Sequence, residues 1–98
     1  MEREESLEET SSVFKALGNP TRLRILTLVS TAGRPLHIKG VSRHLTMDYA
    51  AVYRHVRILE AVGLLKIYEV GRSRVLSIAH PEALAALLGT AEFIAPKA

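Results

Sequence analysis

Between Asp48 and Gly63 the apolar residues Val52, Val56, Leu59 and Val62 recur at spacings of four, three and three. That period lines them up on one stripe of a helix over about 49–62, with Asp48 as its N-cap and Gly63 in the glycine position just past its end. The stripe commits one side of the helix to a hydrophobic core. The other side presents Tyr49, Ala50, Tyr53, Arg54 and Arg57, with His55 at its flank. A helix buried on one side and basic on the other needs covering elements on the first side and a partner of opposite charge on the second.

The covering elements are legible on both sides. Leu7, Val13, Phe14 and Leu17 mark a first helix over about 7–17, and Gly18-Asn19-Pro20 ends it and starts the next, with Asn19 as N-cap and Pro20 as the first helical residue. The second helix, about 20–30, carries Leu23, Ile25, Leu26, Leu28 and Val29, and Gly33-Arg34-Pro35 turns the chain. A short third helix over 38–45 directs Ile38, Val41 and Leu45 inward. After Gly63 two alternating runs, 64–70 and 74–79, flank Gly71-Arg72-Ser73 and read as a hairpin. Tyr68 is open to a core role within it. Pro81 opens a last helix over about 81–88 with Leu84, Leu87 and Leu88, and Gly89 and Pro96 bracket a tail. The fold class is mainly α with a small β-hairpin, in the order α-α-(β)-α-α-β-β-α, and residues 1–98 form a single domain.

Charge narrows the function classes. The chain carries +3 over 98 residues, yet residues 1–9 hold five glutamates against Arg3, so the remainder carries +7. A basic body suits a polyanion, and the acidic start is expected on the side away from it. Without cysteine there is no disulfide, no thiolate metal site and no cysteine nucleophile. The short apolar runs span no membrane, and no secretory signal precedes the acidic start, so the expectation is a soluble cytoplasmic protein. No nucleophile, base and orienting group stand in a recognisable pattern, and no glycine loop cradles a phosphate, which argues against an enzyme.

The basic residues form a constellation that suits double-stranded DNA. Ala50 and Ala51 keep the start of the 49–62 helix narrow enough for a major groove, Arg54 can reach guanine O6 and N7, and Tyr49 and Tyr53 can meet phosphates or thymine methyl groups. Arg57 lies where a straight helix leaves the groove and suits phosphate. Lys39, Ser42, Arg43 and His44 on the preceding helix can lie across the backbone, which makes the pair a helix-turn-helix. Arg72, Ser73 and Arg74 place charge at the hairpin tip, suited to the backbone or the minor groove. The alternatives are a module of the same architecture used only for protein contacts, and a regulator with an unrecognised sensor site.

The run Ala16-Leu17-Gly18-Asn19-Pro20-Thr21-Arg22-Leu23-Arg24-Ile25-Leu26 closely resembles the second-helix signature of the ArsR-type winged helix-turn-helix repressors. Tyr53-Arg54-His55-Val56-Arg57-Ile58-Leu59-Glu60-Ala61-Val62-Gly63-Leu64-Leu65 looks like the family's recognition helix and its exit into the wing, and Val70-Gly71-Arg72 keeps its glycine-arginine turn. The resemblance covers about residues 9–80. It implies a homodimer built from the first and last helices, two recognition helices in successive major grooves of an operator with two half-sites, and an autoregulating repressor. Leu7, Val13, Phe14, Leu17, Leu84, Leu87 and Leu88 exceed what one small core needs, which leaves room for such an interface. The chain departs from the family's metal sensors. His37 and Lys39 stand at the positions of the cysteine pair, leucines and alanines follow His80, Pro81 and Glu82 where an acidic and histidine set would lie, and His37, His44, His55 and His80 are scattered. No metal or other cofactor is expected, and the effector, if one exists, is unknown.

Overall fold

The ends of a helix leave backbone groups with no partner inside it, and this chain satisfies them in several distinct ways. The computed structural model describes residues 2–97. In chain order the elements are α1 (Glu2–Leu17), α2 (Pro20–Ala32), β1 (Leu36–His37), α3 (Ile38–Leu45), α4 (Tyr49–Ala61), β2 (Leu65–Val70), β3 (Ser73–Ile78) and α5 (Pro81–Ile94). At the α1–α2 break, Asn19 Oδ1 accepts the Arg22 backbone N–H at 3.0 Å, and Pro20 occupies the first turn. At the end of α4, Leu64 N–H bonds to the Leu59 carbonyl and Gly63 N–H to that of Glu60, both at 3.0 Å. This paired closure requires a left-handed residue, and Gly63 supplies it with φ of 86°. The turn between α3 and α4 repeats the pattern, Met47 N–H to Ser42 and Thr46 N–H to Arg43, with Thr46 at φ 54° in the position that glycine normally takes. The Ser42 hydroxyl donates to the Met47 carbonyl within the same turn.

The core gathers one face from every layer. Ile25 and Leu26 of α2, Ile38 and Val41 of α3, and Val52, Val56 and Leu59 of α4 are buried against Leu65 and Leu76 of the sheet and Leu84 of α5. The sheet has the order β1-β3-β2 and is antiparallel throughout. Leu76 sits in its central strand opposite both Leu36 and Ile67, so one side chain ties the hairpin to the start of α3. Gly71, at φ 63°, is the first residue of the two-residue turn at the hairpin tip, which needs a positive φ at that position.

Several expectations are corrected. The first helix starts at Glu2 rather than near residue 7, because the glutamates of the acidic start are sound helix formers and favourable near a helix N-terminus. The last helix runs to Ile94 through Gly89, so the residues after 88 are not a tail. The alanines on either side of Gly89 offset its helix penalty. Asp48 stands at the N-cap position, yet its side chain makes no capping bond. Its backbone carbonyl accepts Val52 N–H at 3.0 Å instead. The strands are Leu65–Val70 and Ser73–Ile78, which moves Ser73 from the tip into the ladder. Tyr68 is 47% exposed and not a core residue. Leu84, expected at a subunit interface, is 2% exposed and completes the subunit's own core, and Leu17 is buried beside it.

Leu76→Ala is expected to lower the free energy of unfolding by about 2–5 kcal/mol, through lost burial and the cavity left in the central strand. Urea titration followed by circular dichroism measures this.

Candidate nucleic-acid interface

Burial of Val52, Val56 and Leu59 turns the remaining face of α4 outward. On it Ala50, Arg54 and Arg57 are exposed, while Tyr49 and Tyr53 are half-buried. Among the described residues Arg54 makes no ion pair and no side-chain hydrogen bond, so its guanidinium is free on the face one turn beyond Ala50. Arg57 is engaged along its own helix, with Nη1 donating to the Tyr53 hydroxyl at 3.0 Å and Nε 3.3 Å from the Glu60 carboxylate.

The two tyrosines build the joint between α4 and the hairpin. Their rings stack with centroids 6.4 Å apart and planes 17° from parallel. From β3 the Arg74 guanidinium lies over the Tyr53 ring at 4.4 Å, and its Nη1 donates to the Tyr49 hydroxyl at 3.4 Å. A cation over an aromatic face is held by the ring's quadrupole, and here it seats the hairpin against the helix. The hydrogen bond to Tyr49 raises the pKa of Arg74 further above its ordinary value, with the charge interaction with Tyr53 acting in the same direction.

Beside this joint a cleft of about 190 Å³ is lined by His37, Lys39, Tyr49, Arg72, Ser73 and Arg74. Five of these were expected at a DNA surface, and the fold brings them together from three segments of chain. Arg43 is exposed at the end of α3, and Ser42 is half-buried in the turn. His44 lies elsewhere: it lines a groove with Leu23, Arg24, Thr27, Leu28, Thr31 and Leu45, on the α2 side. His37, which the sequence offers only as a metal position, joins the cleft because β1 pairs with β3 opposite Val75. That pairing rests on a two-residue strand, too short to leave a period in the sequence.

A second polar junction escaped the sequence altogether. Arg22 Nε donates to the Ala16 carbonyl at 2.6 Å, Nη2 reaches the Lys15 carbonyl at 3.5 Å, and Nη1 lies 3.2 Å from His55 Nδ1. Burial lowers the pKa of His55 below its ordinary value, and the charges of Arg22 and then Arg54 add to that effect. The partners lie 33 positions apart, and spacing carries no sign of them. Among the described residues no group of three or more His, Cys, Asp or Glu side chains could hold a metal ion, and no helix is long and apolar enough to cross a membrane.

Comparison with known proteins agrees with this geometry. The family model described as a helix-turn-helix domain matches residues 17–68. An uncharacterized HTH-type transcriptional regulator of Methanocaldococcus jannaschii is 33% identical over 67 residues, which is 68% of this chain and 74% of that protein. The HTH-type transcriptional regulator NmtR of Mycobacterium tuberculosis is 33% identical over 70 residues, 71% of this chain and 57% of the relative. Among solved structures, the homodimeric winged helix-turn-helix DNA-binding domain of a possible ArsR-family regulator from Mycobacterium bovis superposes with a TM-score of 0.82 at 23% identity. That match covers 94% of this chain and 82% of the other.

The ring stack makes the hairpin's hold on α4 testable. Tyr53→Ala removes the surface under Arg74, and amide exchange in the β2–β3 ladder should quicken by roughly two- to fivefold while the α2 amides stay unchanged. Hydrogen exchange followed by mass spectrometry reads both regions in one experiment.

Proposed function

The chain belongs to the helix-turn-helix transcriptional regulators, and we propose from that premise that it is of the ArsR type and acts as a homodimeric repressor on an operator with two half-sites. In this reading α4 enters the major groove, and the hairpin is the wing, lying along the backbone or minor groove. The observation that carries the reading is the free guanidinium of Arg54, one turn past Ala50 on the outward face of a helix whose other face is core. A bidentate contact to guanine needs such an unpaired, projecting arginine. Lys39, Arg43 and Arg72 supply phosphate contacts around it, with Tyr49, Tyr53, Arg57, Ser73 and Arg74 as the supporting frame.

Dimerisation would use the terminal helices. Leu7 and Phe14 of α1 are 59% and 56% exposed, and Phe93 and Ile94 of α5 are 87% and 75% exposed. Between the two helices Phe14, Leu17, Leu23, Leu87 and Leu88 line an apolar cleft of about 380 Å³. Apolar surface of this extent on so small a domain favours burial by a second copy; Val13, partly buried, packs against the core. The similar domain from Mycobacterium bovis is homodimeric. A footprint on the DNA upstream of the chain's own coding region tests the whole reading, with protection expected over two half-sites about one helical turn apart. A single protected site, or none, would count against it.

Two variants separate the parts. Arg54→Ala should cost about 1–3 kcal/mol on the cognate duplex and relax preference at one position per half-site, whereas Arg72→Ala should weaken cognate and scrambled duplexes alike and lower the salt slope by about one per half-site. Titrations of both duplexes at several salt concentrations distinguish these outcomes, with a thermal melt to confirm each fold. Phe14→Asp, which puts a charge into the apolar cleft, should separate the subunits and weaken operator binding together. Sedimentation equilibrium at micromolar concentration gives the subunit state.

A further inference from the structure

The end of α1 and the helix proposed to read DNA are joined by a polar bridge, and among the described residues no carboxylate takes part in it. Arg22 holds the Ala16 and Lys15 carbonyls of the last turn of α1 with Nε and Nη2, and it reaches His55 Nδ1 on α4 with Nη1. Carbonyls at a helix end have no partner within the helix; Nε satisfies that of Ala16, and Nη2 adds to the Gly18 N–H that the Lys15 carbonyl already accepts at 3.3 Å. A guanidinium only donates. The 3.2 Å contact therefore requires an unprotonated Nδ1, with the neutral ring carrying its hydrogen on Nε2.

We propose that Arg22 and His55 are positioning residues for DNA recognition and form a proton-sensitive bridge, closed while His55 is neutral and opened when it is protonated, with loss of operator affinity. The inference rests on the reading of α4 as the DNA-binding helix and of α1 as a dimerisation helix. In such a dimer the angle between α1 and α4 sets the separation of the two recognition helices, and half-site spacing tolerates little error in it. A proton on Nδ1 turns the acceptor into a donor and sets two cations face to face. The bridge has no alternative way to close.

The surroundings of His55 favour the neutral ring. Burial acts first, then Arg22 from α2, then Arg54 from its own helix. On the α1 side the pair meets carbonyl oxygens, and the basic residue of that last turn is Lys15, a further cation. From α3 and β2, which also pack on α4, no side chain among the described residues hydrogen-bonds or pairs with His55. The native pKa therefore lies below the unfolded value of about 6.5, so the bridge contributes fully above that pH and is lost as pH falls through the native value.

The test compares wild type with His55→Asn, whose Oδ1 offers an acceptor near the place of Nδ1 that no proton removes. Affinity is read by fluorescence anisotropy at constant ionic strength from about pH 7.5 to about pH 5.5, on a labelled duplex that the wild-type protein selects from a randomised library. The other histidines, His37, His44 and His80, are the same in both proteins, so any contribution they make cancels in the ratio. Wild type is expected to lose at least about threefold in affinity relative to His55→Asn across that range, with both proteins folded and dimeric. Parallel profiles on a tightly bound duplex overturn the bridge alone, and failure to select any duplex overturns the DNA reading and the bridge with it. Imidazole nitrogen chemical shifts of the wild type need no variant. The Nε2–H tautomer of His55 at neutral pH is expected, and the Nδ1–H tautomer overturns the proposal.

Discussion

Everything on the basic side of this molecule depends on how firmly α4 is held from behind. Val52, Val56 and Leu59 are completely buried, and α2, α3 and the sheet all pack on this helix. Interiors packed to crystal density deform little, so the outward residues inherit their directions from that burial. Arg54 projects because its neighbours on the helix cannot turn. An arginine on a loose helix would have to order itself on binding, at a cost in affinity that a pre-set one avoids.

The hairpin is held by a different kind of contact. Its root is apolar, Leu65 and Leu76 in the core, but toward the tip the side chains thin out and Arg74 on the tyrosine pair takes over. This changes how the positive charge of the region should be counted. Arg74 and Arg57 are engaged with tyrosine and glutamate within the chain, whereas Arg54, Arg72, Lys39 and Arg43 have no such partner among the described residues. The first group shapes the surface, and the second leaves its charge open to solvent. From sequence both groups looked alike, since side-chain type says nothing about which cation a nearby ring will capture.

Much of the architecture was readable because its signals are local. The α4 stripe, the Asn19 cap with Pro20 behind it and the Gly63 exit each depend on a few adjacent residues, and each stands where the spacing put it. Helix ends were less readable where no punctuation marks them: nothing breaks α1 between Glu2 and Leu7, and Gly89 looked like a stop that the surrounding alanines override. What spacing could not carry was contact across distance. His37 enters the basic cleft by strand pairing with β3, His44 faces α2 on another side of α3, and Arg22 finds His55 only after three helices have packed. Leu84 was misread for the same reason, because an apolar face on a terminal helix looks identical whether its own subunit or another covers it.

Arg22 grips α1 by main-chain oxygen, and that choice of atom shapes how the protein can change over time. A carbonyl is present whatever residue stands there, so exposed Lys15 can be exchanged for almost any helix former without loosening the grip. Position 55 has no such freedom, since its acceptor is a side-chain atom. The two ends of one guanidinium thus divide the surrounding sequence into a part that can drift and a part that must change in step with residue 22.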